Sequence, residues 1–122
     1  MSAITASTLR WAAVIAYAAL IAFLSNHPVL PAPHVPNIDK VLHAGEYAIL
    51  AFLLARAALP ALRRHSAPTS WALIVLACFL YGIADEAHQA FVPGRSCDPA
   101  DALADLAGAV LVALLLGRRL RA

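Results

Sequence analysis

His43 and Glu46 lie within one strongly apolar run of the chain, and Asp85, Glu86, His88 and Gln89 lie within another. An ionisable side chain inside an apolar segment of membrane length is costly unless it is paired or hydrated, so it marks a functional site by default. The spacings bring these groups together. Asp39, His43, Glu46 and Tyr47 follow steps of four, three and one, placing His43, Glu46 and Tyr47 on one helical face beneath Asp39. Tyr81, Asp85, His88 and Gln89 repeat the arrangement at i, i+4, i+7 and i+8, and Asp98, Asp101, Asp105 and Gly108 form a third stripe.

Such residues permit acid–base chemistry, with Asp85 or Glu86 as general base, His88 or His43 as acid or metal ligand, and Arg95 stabilising charge on a phosphate. A divalent metal is compatible with so acidic a pocket, its candidate ligands being His43, Asp85 and His88. The spacing is not a zinc signature, because neither His-Glu-x-x-His nor Cys-x-x-Cys occurs. Asp85 and Glu86 are adjacent and therefore point about 100° apart on a helix. Asp85, sharing a face with Tyr81, His88 and Gln89, is expected to line the cavity, and Glu86 to meet Lys40 or Arg95 on a neighbouring element.

The elements that must position these groups are membrane helices. Of 122 residues, 62% are hydrophobic and 13% charged, well outside the soluble balance of roughly half apolar and a quarter charged. The expectation is an all-α integral membrane protein, a bundle of four transmembrane helices forming a single domain over 1–122. The spans run over about 8–25, 38–59, 71–91 and 99–117, against the roughly 17 to 25 residues that cross a bilayer. Asn37 and Ser70 are placed as N-caps, and Asp98-Pro99 reads as a cap followed by proline at the first helical position. The first run also fits a signal peptide, but no clear Ala-x-Ala site follows it, and a retained helix is expected. Pro28, Pro31, Pro33 and Pro36 lack amide hydrogens and mark a surface connection.

Cytoplasmic loops carry the excess of Lys and Arg. Arg10, Arg56, Arg63, Arg64, Arg118, Arg119 and Arg121 fall on one side of these spans, and only Lys40 and Arg95 on the other. Both termini are therefore expected in the cytoplasm of a multi-pass cell-membrane protein. All seven acids, Asp39, Glu46, Asp85, Glu86, Asp98, Asp101 and Asp105, fall on the outer side, with four of the five histidines. A net charge of +2 without an aromatic-interleaved basic face excludes nucleic acid as a partner.

The stretch from Asp39 to Tyr47, DKVLHAGEY, and the stretch from Asp85 to Arg95, DEAHQAFVPGR, closely resemble the paired signatures of the VanZ-like membrane protein family. In that family the arginine is followed by an aspartate, an asparagine four residues later and a glycine three beyond, corresponding here to Asp101, Asp105 and Gly108. Asp105 thus stands where the pattern has asparagine, adding an acid to a crowded site. The resemblance covers nearly the whole chain. It implies a bacterial cell-envelope factor of the kind that contributes to low-level glycopeptide resistance, teicoplanin above all, without implying a particular reaction.

Several of these residues also have plain structural readings. Asp98 is a helix cap, Arg95 with Asp101 an ion pair closing a turn, and Lys40 a lysine snorkelling to lipid headgroups. Gly45 and Gly108 permit close helix packing, Trp11 and Trp71 are interfacial anchors, and Cys78 is lipid-facing or core filler. Cys78 and Cys97 are expected to lie too far apart for a disulfide.

The leading functional expectation is an outer-leaflet polar cavity that binds a lipid-linked envelope precursor or an amphiphilic antibiotic, amid membrane lipids, with Arg95 and Lys40 on its anionic groups. The alternative is a membrane-embedded hydrolase or transferase acting on a lipid headgroup. A small proton-coupled exporter fits worse, because coupling carboxylates usually sit near the bilayer midplane and these gather at one end.

Overall fold

The computed structural model describes residues 1–27 and 37–121, and the proline-rich stretch 28–36, expected to be a surface connection, lies outside the described residues. The described chain is helical: α1 (Ala3–Ser25), α2 (Ile38–Ala58), α3 (Ala67–Gln89) and α4 (Pro99–Arg121). All four are long and apolar enough to cross a membrane.

Helix boundaries follow capping chemistry that hydropathy alone does not reveal. α1 begins at Ala3, before the expected 8, because Ser2 accepts a hydrogen bond from the Thr5 amide at 3.2 Å. α3 begins at Ala67 rather than Trp71, since Ser66 accepts from the Thr69 amide at 3.3 Å and Pro68 sits in the first turn. Ser70 is therefore no cap, and its hydroxyl donates to the carbonyls of Ser66 and Leu62. α3 stops at Gln89, two residues short of Phe91, and α4 passes Gly117 to reach Arg121. Asn37 occupies the N-cap position of α2 in the left-handed region, at φ 61°, and its side chain caps nothing.

α2 and α4 form the most extensive interface, α3 packs chiefly on α4, and α1 leans on α2 and α3. Small side chains let the central pair approach: Ala51, Ala55 and Ala109 are fully buried. A methyl group at Gly108 would collide with the backbone carbonyl of Ala44, whereas one at Gly45 would meet open space, so only the first of these two glycines serves packing. Ile21, Tyr47, Leu50, Ile74, Cys78 and Val112 fill the core, which settles Cys78 as filler. Both cysteines are free.

Trp71 is not an interfacial anchor. It is buried, 7% exposed, because Gly117 opens a notch for its ring: a methyl there would lie 3.2 Å from the indole nitrogen. Apolar side chains left outside the core, such as Ile15, Phe23, Leu111, Leu114 and Leu115, form the outward surface expected to face lipid.

Candidate functional site

The C-terminal ends of α1 and α3 and the N-terminal ends of α2 and α4 meet at one end of the bundle, where all seven acids gather. α2 brings Lys40 into a cage of carboxylates. Its ammonium lies 2.8 Å from Asp39, 2.7 Å from Asp98 and 2.5 Å from Asp101. Lys40 therefore does not snorkel to headgroups, because α4 starts close enough to surround it. Asp98 is more than a cap: one carboxylate oxygen accepts from the Ala100 amide at 2.9 Å while the other takes Lys40. The neighbouring ammonium holds the Asp98 carboxyl below its ordinary value of 3.8.

One turn deeper, His43 stands among three acids. Its Nδ1 is 2.9 Å from Asp105 Oδ1 and 3.9 Å from Glu86 Oε1, and its Nε2 is 3.5 Å from Asp101 Oδ2. Asp105 is fully buried, and its second oxygen fits only because position 82 is glycine, where a methyl would approach it to 2.8 Å. Gly82 belongs to the site as the space that admits Asp105, and nothing in its spacing announces that. Tyr47, fully buried, sits on the other side of this gap, with its hydroxyl unpartnered among the described residues.

Glu86 does not pair with Lys40 or Arg95. It is 3% exposed, and its Oε2 accepts the Asp98 amide at 3.2 Å, while Oε1 lies 3.9 Å from His43 Nδ1 without a hydrogen-bond donor among the described residues. The rotation of α3 places Glu86 against the start of α4, and both cations are engaged elsewhere. Nor does Arg95 pair with Asp101. Its guanidinium donates to the carbonyls of His27 at 2.6 Å and Leu24 at 3.1 Å. A cation there complements the partial negative charge of the α1 C-terminus.

His88 turns away from the imidazole–carboxylate centre. It is exposed, with Nε2 3.1 Å from Asn26 Oδ1, so His43, Asp85 and His88 do not converge as a metal set. Asp85 is buried against Ser25 of α1, with one oxygen unpartnered among the described residues. Ser25 and Asn26 were not legible as site residues, because they end an apolar run and read as a helix stop. Tyr17 and Tyr81 complete the attachment of α1, donating to the carbonyls of Glu46 at 2.9 Å and Ala18 at 2.6 Å.

Between α1, α2 and the α3–α4 turn opens a cavity of about 590 Å³. Its lining is mixed: Asp39, His43, Glu46, Asp85, Gln89, Arg95 and Asp101 supply polar groups, and Leu24, Ile38 and Leu42 apolar ones. Glu86, Asp105, Tyr47, Lys40 and His88 lie behind or beside this wall and do not line it. The arrangement can do two things chemically. Carboxylates facing an amphiphilic opening can hold a cationic head while Arg95, with guanidinium donors beyond the two it spends on carbonyls, meets an anionic one. An imidazole oriented by a buried carboxylate can also move a proton.

No curated protein and no solved structure matches the chain. A family model does, that of VanZ/LLP1, over residues 3–119. This match takes in α1 to α3, all but the last two residues of α4 and every residue of the polar cluster, and the chain belongs to the VanZ/LLP1 family.

Proposed function

We propose that this membrane protein binds the polar head of an amphiphilic cell-envelope ligand, a lipid-linked precursor or an acylated glycopeptide of the teicoplanin type. The seven arginines at the opposite end favour an orientation with the cavity at the outer leaflet and both termini in the cytoplasm. The observation that carries the reading is the mixed lining of the 590 Å³ cavity. Acids and Arg95 line it together with the apolar Leu24, Ile38 and Leu42. A ligand with a charged head and an acyl chain meets both kinds of group at once. Lys40 takes no part in this contact, being held by three carboxylates.

The test is binding of a fluorescent acylated glycopeptide and its deacylated counterpart to the protein in nanodiscs. Saturable binding is expected for the acylated form, weakened at least tenfold by deacylation or by Asp85→Asn. Equal signal from protein-free nanodiscs removes the proposal.

The hydrogen bond between His43 and Asp105 favours a second reading, a hydrolase or transferase acting on a lipid headgroup with His43 as base. Turnover of a headgroup-labelled lipid that disappears in His43→Gln would select it.

A further inference from the structure

We infer that His43, on the cavity wall, and Glu86 and Asp105, behind it, form a site for a borderline divalent cation of the Zn²⁺ kind. One ligand atom from each lies within 4.8 Å of the other two, and the three residues come from three different helices. A cation holding nitrogen and oxygen ligands at about 2.1 Å keeps any two of them roughly 3 to 4.2 Å apart. The His43 nitrogen meets that condition with both partners, at 2.9 Å from Asp105 and 3.9 Å from Glu86.

Donors and acceptors at this centre do not balance. Glu86 is 3% exposed and Asp105 0% exposed, yet Glu86 Oε1 and Asp105 Oδ2 have no hydrogen-bond partner among the described residues. A buried carboxylate oxygen without a donor is costly. The nearest ammonium, Lys40, is taken by Asp39, Asp98 and Asp101, and the Arg95 guanidinium is held at the carbonyls of α1 and donates to neither of these two oxygens. The imidazole alone cannot donate to every oxygen around it. A divalent cation supplies what the centre lacks.

The surroundings are also those of a metal-bound histidine. If Nδ1 ligates, Nε2–H faces Asp101 Oδ2 at 3.5 Å, and Asp101 is itself anchored by Lys40. A carboxylate behind the ligating imidazole fixes its orientation in this way. Asp98 does the same for Glu86, its amide donating to Oε2. One imidazole with two carboxylates falls short of the six to eight oxygens that Ca²⁺ takes, and suits a cation accepting nitrogen. The acids around Lys40 form no second site, since the ammonium already occupies their centre. The inference does not depend on what fills the cavity.

The test uses the full chain purified with chelator and carried in a Cys97→Ser background, so that the exposed thiol contributes nothing. Zn²⁺ itself is titrated calorimetrically, with Ca²⁺ as comparison. The expected result is one Zn²⁺ per chain, bound at least tenfold more tightly than Ca²⁺, weakened at least tenfold by Glu86→Gln and unchanged by Asp39→Asn. X-ray absorption on the zinc-loaded wild-type protein should find one imidazole among oxygen ligands, a readout that does not require any variant to fold. Absence of stoichiometric binding, a shell without imidazole, or equal loss in Asp39→Asn overturns the assignment.

Discussion

Gly108 of α4 packs against the backbone carbonyl of Ala44 in α2, with no room for a methyl group between them. Ala44 follows His43, and Gly108 lies one turn beyond Asp105, so this backbone contact sets the approach that brings His43 and Asp105 to 2.9 Å. Gly108→Ala should push the helices apart, with overpacking costing about 1–3 kcal/mol. Gly45→Ala, on the same helix as Ala44 but facing open space, should instead stabilise by up to about 1 kcal/mol through helix propensity. Thermal unfolding in detergent checks both, and the opposite order would contradict the packing.

Lys40 and Asp98 predict an acid sensitivity of defined sign. Asp98 is depressed below its ordinary 3.8 by the neighbouring ammonium. Its contribution to stability is therefore complete above the ordinary carboxylate range and lost as pH falls through the lowered folded value. Asp98→Asn keeps a good N-cap while removing the charge. The variant should unfold at lower temperature than wild type near neutral pH, and the gap should close as pH drops below the carboxylate range. A gap independent of pH would mean that the ion pair contributes nothing.

Arg95→Lys should not substitute for arginine. One guanidinium spans the carbonyls of Leu24 and His27 through two different nitrogens, a fork that a single ammonium on a flexible stem does not reproduce. Amide hydrogen exchange at the end of α1 should accelerate in the lysine variant while α2 and α4 keep their protection. Unchanged exchange there would show that His88, Tyr17 and Tyr81 hold α1 without it.

The four helices were legible because apolar runs broken by proline leave few alternatives, and the gathering of acids at one end followed from their positions along those runs. Partnerships across helices were not. Lys40 meets Asp98 and Asp101 about sixty positions away, and periodicity reveals the face a side chain occupies but not the rotation of the helix opposite. His88 shares a face with Asp85 by spacing, yet at the last turn of α3 it reaches Asn26. Trp71 reads as an interfacial residue until Gly117, on another helix, is seen to leave space for it. Gly82 carries no signal of its own, since its role is to be absent beside Asp105.

Cys97 offers the most direct test of an outward cavity that takes an amphiphile. It is exposed, its neighbours Ser96 and Asp98 line the cavity, and Cys78, the other cysteine, is buried. Intact cells would be treated with a membrane-impermeant maleimide, with and without an acylated glycopeptide, and the rate of Cys97 modification measured. Labelling is expected without permeabilisation, slowed several-fold by saturating glycopeptide and not by its deacylated form. Labelling that requires permeabilisation, or a rate that the glycopeptide leaves unchanged, would contradict it.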